Sequence, residues 1–361
     1  DRALAWCEEY GLYAILDLHA VQGCQSSDWH CDNASRHSAF WEQRQFQDRF
    51  VALWAEFARR YRGRAVVAGY NVMNEPLVNA PDGRMAGRYT PDWPRMNRIY
   101  RRVVEAIRAI DAEHIIFLEG DYFSTLFSGL EAPFSPNLVY STHNYTPMGF
   151  GPGAYPAEGW DRAAQEKMFL DHEGTRFTRQ HEVPLWVGEF GSTYNRSPAE
   201  VPDRLRAIDD EISIFEQYGA HWTAWTYKDV GAMGMVGVPA RAAYRRAIAP
   251  SVKAQRDLDL EMFWMTWMPT GEVAGLIGQI AGRMVAAIGD EAMQPAAVAS
   301  YLSQAALACY GAELAQATYA RCFAGQSHAA LEAMLSGFSL AQCERNEGLI
   351  QVMSKYMRLP A

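Results

Sequence analysis

The chain has 361 residues, of which 49% are hydrophobic, and this suffices for one large domain with an appendage. Its formal net charge of -9, from 42 acidic and 33 basic residues, provides no basic surface of the kind that nucleic acids require. No apolar run approaches the roughly 20 residues that span a bilayer. The composition therefore disfavours nucleic acid as a partner and a membrane-spanning segment.

Six apolar runs of strand length alternate with helical periodicity through the first two thirds of the chain, a pattern typical of parallel β/α folds. Two of the intervening stretches, Phe40–Tyr61 and Met96–Ile110, carry apolar residues every three or four positions and so predict helices that face a sheet. In chain order, the predicted strands are Leu12–His19, Ala65–Glu75, His114–Asp121, Leu138–Tyr145, Pro184–Glu189 and His221–Tyr227.

Polar residues at the ends of these strands favour a (β/α)8 TIM barrel over a doubly wound sheet. Barrels collect their catalytic groups from the carboxyl ends of several different strands. No GxGxxG or phosphate-binding loop follows any predicted strand, so a nucleotide-binding open sheet has no support. We therefore predict an α/β barrel over residues 1–250. The polar or aromatic residues at its strand ends are His19, Asn74, Glu75, His143, Tyr145, Glu189 and Trp225.

The predicted strands stop after about Pro250, and residues 251–361 are predicted to form a helical C-terminal extension rich in Ala, Met and Leu. Packing of these helices on the barrel wall or on one another is the simpler interpretation. A tryptophan pair within the extension, Trp264 and Trp267, offers flat aromatic faces of the kind on which sugar rings stack, so it could instead cover a cleft.

The cysteines do not indicate a metal site, because none forms a CxxC pair and their spacing fits no zinc template. We predict that the protein uses neither a metal nor another cofactor. Cys24 and Cys31 lie in one polar loop, where they could form a disulfide in an oxidising compartment or remain two free thiols.

Glu75 and Glu189 are the leading candidates for catalytic groups. Hydrolysis of a glycosidic bond with retention needs two carboxyl groups roughly 5 to 5.5 Å apart. Strand ends from opposite sides of a closed barrel face each other across its mouth, so residues distant in sequence can meet there. The Asn74 amide beside Glu75 can hydrogen-bond a sugar hydroxyl, and the glycines that flank Glu189 would let a substrate approach the backbone.

Five motifs in a fixed order resemble family 5 of the glycoside hydrolases over roughly residues 1–249. This resemblance implies a retaining β-glycosidase in which Glu75, on barrel strand four, is the acid/base and Glu189, on strand seven, is the nucleophile. The motifs are Leu16-Asp17-Leu18-His19, Asn74-Glu75-Pro76, His143-Asn144-Tyr145, Gly188-Glu189-Phe190-Gly191, and Trp225 within residues 222–227.

The resemblance also implies roles for the residues around the two glutamates. Asn74 would bind the 2-hydroxyl of the cleaved sugar, and Tyr145 would hydrogen-bond the nucleophile. His19 and His143 would shape the cleft. Trp225 would form the floor on which a sugar ring stacks.

Two further segments are candidate substrate contacts. The polar loop at residues 20–33, which contains Trp29, is long enough to reach a substrate and resembles the corresponding loop of glucan-directed family members. Lys228 and Asp229 extend the last predicted strand toward the barrel mouth. They could bind sugar hydroxyls or pair with each other.

The start of the sequence departs from the family pattern. Family members begin with two more strands and carry an arginine near the nucleophile, whereas Asp1–Tyr10 is predicted to be the helix before strand three. We therefore expect an incomplete barrel, with strands 3 to 8 present, and a chain that is an N-terminally truncated fragment.

The expected function is hydrolysis of the O-glycosidic bonds of a β-glucan or β-glucoside by double displacement, in endo or exo mode. Mannan, xyloglucan and glycolipid headgroups are alternative substrates, because specificity depends on loops that a fold does not determine. A sugar-binding pseudoenzyme is an alternative from another class, although both glutamates are present. A purely structural barrel would have no reason to keep polar groups at its strand ends.

Overall fold

The computed structural model describes residues 1–27, 31, 37–78, 89–146, 154–195, 197–257, 272–289, 293–303, 306–307 and 311–357. The chain divides into two compact units. The first comprises residues 1–144, 168–188 and 219–222, and the second comprises residues 145–167, 189–218 and 223–361. The Trp264 and Trp267 pair lies outside the described residues.

A six-stranded parallel sheet forms the first unit, and each strand pairs with the next one along the chain. The register places Leu16 beside Tyr70, and Tyr70 in turn beside Ile116. This sequential order is that of the strands in a (β/α)8 barrel, and the described residues contain six of them, as predicted. The strands are β1 (Ala14–Asp17), β2 (Val67–Asn71), β3 (Ile115–Glu119), β4 (Leu138–His143), β5 (Leu185–Glu189) and β6 (His221–Trp222).

One helix precedes β1, and further helices lie in the connections between these strands. The predicted helix at residues 40–61 is interrupted at Gln43, whose backbone is extended with φ -105° and ψ 107°. The helix that precedes β3 begins where the Asp92 side chain accepts the Arg95 N–H. The helices are α1 (Arg2–Glu9), α2 (Ala39–Glu42), α3 (Arg44–Tyr61), α4 (Trp93–Arg108), α5 (Arg162–Asp171) and α6 (Glu173–His181).

The core of the first unit lies between α3, α4 and the sheet. Phe50, Trp54 and Val103 are completely buried there. The Trp54 indole donates to the Val72 carbonyl oxygen at 2.9 Å, which ties α3 to the chain just beyond β2. Burial of such side chains stabilises the fold by about 1.5–3 kcal/mol each. This packing supports the carboxyl ends of the strands, where the predicted site residues follow.

The second unit contains α7 (Val201–Gln217) and a small three-stranded sheet. In this sheet, β7 (Lys228–Asp229) pairs parallel to β8 (Val236–Gly237), which pairs antiparallel to β9 (Glu344–Arg345). Among the residues that the structure describes, no helix has both the length and the apolar character to cross a bilayer. The remaining helices are α8 (Ala243–Ala247), α9 (Ala249–Asp257), α10 (Glu272–Ile288), α11 (Pro295–Ser303), α12 (Ala312–Arg321), α13 (His328–Leu335) and α14 (Glu347–Ser354).

Two expectations about strands were wrong. The predicted strand His221–Tyr227 ends at Trp222, and Lys228 and Asp229 lie in the small sheet instead of extending β6. The Asp229 carboxylate accepts the backbone N–H groups of residues 231–234, and this turn leads into β8, so Lys228 and Asp229 pair within the small sheet. The tail is also not free of strands, because β9 lies within it.

Candidate active site

The predicted site residues lie at or just beyond the carboxyl ends of the strands. His19 follows β1 by two residues, and Glu75 follows β2 by four. His143 and Glu189 are the last residues of β4 and β5. In parallel sheets, the residues at this edge are the ones available to a ligand. The structure joins the predicted residues into two hydrogen-bonded groups, one in each unit.

Glu75 is the centre of the group in the first unit. Its Oε1 atom lies 2.7 Å from His143 Nδ1, and 13% of its side chain is exposed. The Glu75 backbone is left-handed, with φ 43°, and its N–H donates to Glu119 Oε2 at 2.8 Å. His143 at the side chain and Glu119 at the backbone therefore both help to hold the Glu75 carboxyl group in place.

Asn74 and His19 form the flank of this group. His19 Nδ1 lies 2.9 Å from Asp17 Oδ2, and its Nε2 lies 3.3 Å from Asn74 Nδ2. The fully buried Gln25 amide donates to the carbonyl oxygens of both His19 and Asn74, at 3.0 and 2.8 Å. Gln25 thus joins the ends of β1 and β2, which is a structural role for a residue that the sequence placed in a substrate-facing loop.

Asn71 and Glu119 belong to the same group but were missed in the sequence. Asn71 Nδ2 donates to Asp17 Oδ1 at 3.0 Å and to Glu119 Oε1 at 2.7 Å. Glu119 is completely buried. The sequence contained a signal for Glu119, because it is a charged residue at the end of an apolar strand, just before a glycine.

Tyr145 and Glu189 form the group in the second unit. The Tyr145 hydroxyl donates to Glu189 Oε2 at 2.9 Å, the contact that the family resemblance implied. Just after Glu189, the Phe190 carbonyl oxygen accepts the backbone N–H of Trp225 at 2.8 Å. Trp225 is 36% exposed, which places it among the exposed large hydrophobic residues.

The glycines that flank Glu189 have a packing function in this structure. A Cβ atom on Gly188 would lie 2.6 Å from Ser141 Oγ and 3.2 Å from His143 Nε2. A Cβ atom on Gly191 would lie 2.4 Å from the Trp225 carbonyl oxygen. Glycine at these positions makes room for the neighbouring strand and for the Trp225 backbone. The sequence had instead suggested that these glycines make room for a substrate.

The remaining candidates have other environments. Trp29 lies outside the described residues. Lys228 Nζ donates to the Phe338 carbonyl oxygen in the C-terminal part of the chain. No disulfide joins Cys24 to Cys31; the Cys24 Sγ atom lies 3.9 Å from the Cys31 carbonyl oxygen, and burial raises the pKa of Cys31 to about 12.

A further buried carboxylate, Asp121, ties down the chain beyond Glu75. Its Oδ1 atom accepts the Val78 N–H at 2.9 Å and the Tyr89 hydroxyl at 2.7 Å. Burial raises the pKa of Asp121 to about 6, and the two donors oppose this rise without cancelling it.

The raised pKa of Asp121 predicts a pH dependence of stability. The unfolded chain has an Asp pKa of about 3.9, so this stabilising contribution is fully present below about pH 4 and is lost as the pH rises through about 6. Asp121→Asn keeps an acceptor oxygen but does not titrate. Between about pH 5 and about pH 7.5, urea unfolding should show that the wild type loses roughly 1 kcal/mol relative to the variant. Parallel stability curves for the two proteins would contradict the assignment.

The sequential parallel strands and the carboxylates at their ends define the class of this protein, a glycoside hydrolase of the (β/α)8-barrel type. The family model Cellulase (glycosyl hydrolase family 5) matches residues 1–231, and the chain belongs to this family.

The proteins that this chain resembles are named for different activities. A beta-xylosidase from Phanerodontia chrysosporium is 29% identical over 374 aligned residues, covering 100% of this chain and 76% of the relative. Endoglucanase C from Acetivibrio thermocellus is 25% identical over 268 residues, covering 63% of this chain and 71% of the relative. A solved glycoside hydrolase structure superposes with a TM-score of 0.50 at 23% identity, over 64% of this chain and 70% of that one, which is a likeness of fold.

Proposed function

We propose that the protein hydrolyses β-glycosidic bonds with retention of anomeric configuration, with Glu75 as the acid/base and Glu189 as the nucleophile. The observation that carries this proposal is the difference between the environments of the two glutamates. Glu189 accepts a hydrogen bond from the Tyr145 hydroxyl, a donor suited to a carboxylate. Glu75 contacts an imidazole nitrogen of His143, a group that can either donate or accept a proton.

The proposed reaction has two steps. In the first, a Glu189 oxygen attacks the anomeric carbon while the bond to the leaving oxygen breaks and that oxygen takes the Glu75 proton. In the second, the Glu75 carboxylate takes a proton from water, and the water oxygen displaces Glu189 from the anomeric carbon. The free sugar leaves, Glu189 is again a carboxylate, and Glu75 is again protonated.

The other predicted residues fit substrate-binding roles within this mechanism. The Asn74 amide is held by His19 on its side chain and by Gln25 on its backbone, so it is positioned before a sugar hydroxyl arrives. The exposed part of Trp225 provides a face for a sugar ring. We retain Trp29, which the sequence alone suggested, as a candidate substrate contact. Lys228 is the weakest candidate, because its ammonium group already binds a carbonyl oxygen.

The proposed substrate is a β-glucan or a β-glucoside. The match to endoglucanase C supports it, and so does a probable glucan 1,3-beta-glucosidase A from Aspergillus fumigatus, which is 24% identical over 269 residues. A β-xyloside is a second candidate, because the relative named beta-xylosidase aligns with the whole chain. A xyloside differs from a glucoside in lacking the hydroxymethyl group, so the same two-step chemistry serves both.

Product stereochemistry tests this mechanism directly. The protein is incubated with 4-nitrophenyl β-glucoside and, separately, 4-nitrophenyl β-xyloside, and the anomeric proton is followed by NMR from the first minutes. Retention predicts that the β-anomer appears first and then mutarotates to the equilibrium mixture. The ratio of the two turnover rates ranks the two substrates. Initial release of the α-anomer would exclude Glu189 as a nucleophile.

A further inference from the structure

Glu119 occupies the middle of the Glu75 group, and the proposed mechanism does not use it. Its side chain is completely buried at the end of β3. A buried carboxylate is strongly unfavourable unless hydrogen-bond donors compensate for the lost water. Asn71 and the Glu75 backbone, at the end of β2 and just beyond it, donate to the Glu119 carboxylate. These hydrogen bonds compensate for burying a carboxylate next to Glu75.

We propose that Glu119 is a positioning residue that holds Glu75 in place for proton transfer to the leaving group. This inference rests on the proposed acid/base role of Glu75. Glu119 acts at two points, the Glu75 backbone and the His143 ring.

The first point is the backbone of Glu75. Residues other than glycine disfavour the left-handed conformation, because the Cβ atom approaches the following carbonyl oxygen. Glu75 nevertheless has φ 43°, and Glu119 Oε2 accepts its N–H at 2.8 Å. The backbone conformation determines the direction of the Cα–Cβ bond, so this hydrogen bond helps to aim the carboxyl group.

The second point is the ring of His143. Its Nδ1 atom lies 2.7 Å from Glu75 Oε1, and its Nε2 atom lies 3.6 Å from Glu119 Oε1. The ring is therefore held between two carboxyl groups, with only 3% of its side chain exposed. Glu119 attracts the far side of the ring and so favours the orientation that directs Nδ1 toward Glu75.

The positioning role requires a carboxylate at residue 119 and not merely a polar side chain. Glu119 Oε1 accepts a hydrogen bond from Asn71 Nδ2 at 2.7 Å, and Glu119 Oε2 accepts one from the Glu75 N–H. Glutamine has one acceptor oxygen, so its amide nitrogen would face one of these two donors. Glu119→Gln thus keeps the volume of the side chain and removes the double acceptor.

Asp111 provides a matched control in the same unit. It is also a buried carboxylate that contacts a histidine, His114, and a tyrosine, Tyr70. It lies before β3, at the amino end of the strand that Glu119 ends. Asp111→Asn therefore perturbs a similar buried contact far along the strand from Glu75.

The experiment measures kcat/KM on aryl β-glycosides with leaving groups that range from 2,4-dinitrophenol to phenol. Glu119→Gln should lower kcat/KM by about 10- to 100-fold for phenyl glycosides and by only a few fold for dinitrophenyl glycosides. This dependence on the leaving group is the signature of impaired proton donation. A merely structural role lowers both to the same extent, which is the result expected for Asp111→Asn.

Equal effects of Glu119→Gln on both substrates, or no effect, would overturn the inference. If this variant does not fold, Glu119→Asp replaces it, because the shorter side chain keeps the charge but withdraws both oxygens from Glu75. Glu75→Gln is measured in parallel. If Glu75→Gln has the leaving-group dependence and the Glu119 variants lack it, the positioning role fails and the proposed function stands. If Glu75→Gln itself lacks it, the proposed function fails.

Discussion

Replacing Glu189 by alanine should lower kcat for β-glycoside hydrolysis by roughly 10⁴- to 10⁶-fold, because no other group would attack the anomeric carbon. A 2-deoxy-2-fluoro glycoside with a good leaving group should inactivate the wild type. The fluorine slows the second step more than the activated first step, so the ester to Glu189 accumulates. Digestion and mass spectrometry should then find the label on the peptide that contains Glu189, and the alanine variant should remain unlabelled.

Glu182 provides a control for this variant at the other end of the same strand. It precedes β5 and is exposed, so Glu182→Ala removes a carboxylate of the same charge without changing turnover or labelling. Tyr145→Phe tests the observed contact to Glu189, because it removes the hydroxyl donor and leaves the ring. We expect it to be labelled more slowly but at the same residue. A label on any other peptide would refute the assignment of Glu189.

Replacing Glu75 by glutamine should lower kcat/KM by roughly 10²- to 10⁴-fold for substrates with poor leaving groups. For 2,4-dinitrophenyl glycosides, whose leaving group needs no proton, kcat/KM should change little. The second step also loses its general base, so kcat on the activated substrate should fall and a glycosyl-enzyme should accumulate. The wild type should show a bell-shaped dependence of kcat/KM on pH, and the variant should lose its basic limb.

Azide distinguishes this role from simple misfolding. The anion needs no base, so it should restore turnover of the activated substrate by the glutamine variant and give a β-glycosyl azide. Glutamine occupies the same volume as glutamate, and the left-handed backbone at this position disfavours both side chains alike. Equal losses on good and poor leaving groups, with no response to azide, would count against Glu75 as the acid/base.

Much of the fold could be read from local patterns in the sequence. The six strands were recognised because each is a short apolar run that ends in polar residues, and a parallel strand buried on both faces requires that pattern. Glu75 and Glu189 were recognised because rare motifs contained them in a fixed order. The ends of the strands were less predictable, since β6 ends at Trp222 although the predicted strand continues to Tyr227.

The small sheet could not be predicted, because its cause is not local. β8 and β9 are separated by more than a hundred residues, and each strand is only two residues long. Strands this short carry no recognisable alternation of side chains. The adjoining turn between β7 and β8 is local, but it depends on Asp229 accepting four N–H groups, a role that the sequence does not distinguish from contact with a ligand.

The sequence by itself determined the class of fold, the family and the two candidate catalytic glutamates, since apolar periodicity and motif order are properties of the chain alone. Tertiary structure decided what surrounds each glutamate. Glu75 and Glu119 are 44 positions apart in the sequence, but the Glu75 N–H donates to the Glu119 carboxylate. Burial raises the pKa of Asp121 to about 6. Hydrogen bonding and desolvation depend on distances through space. A residue such as Glu119 therefore acquires its significance only when the strands are placed side by side.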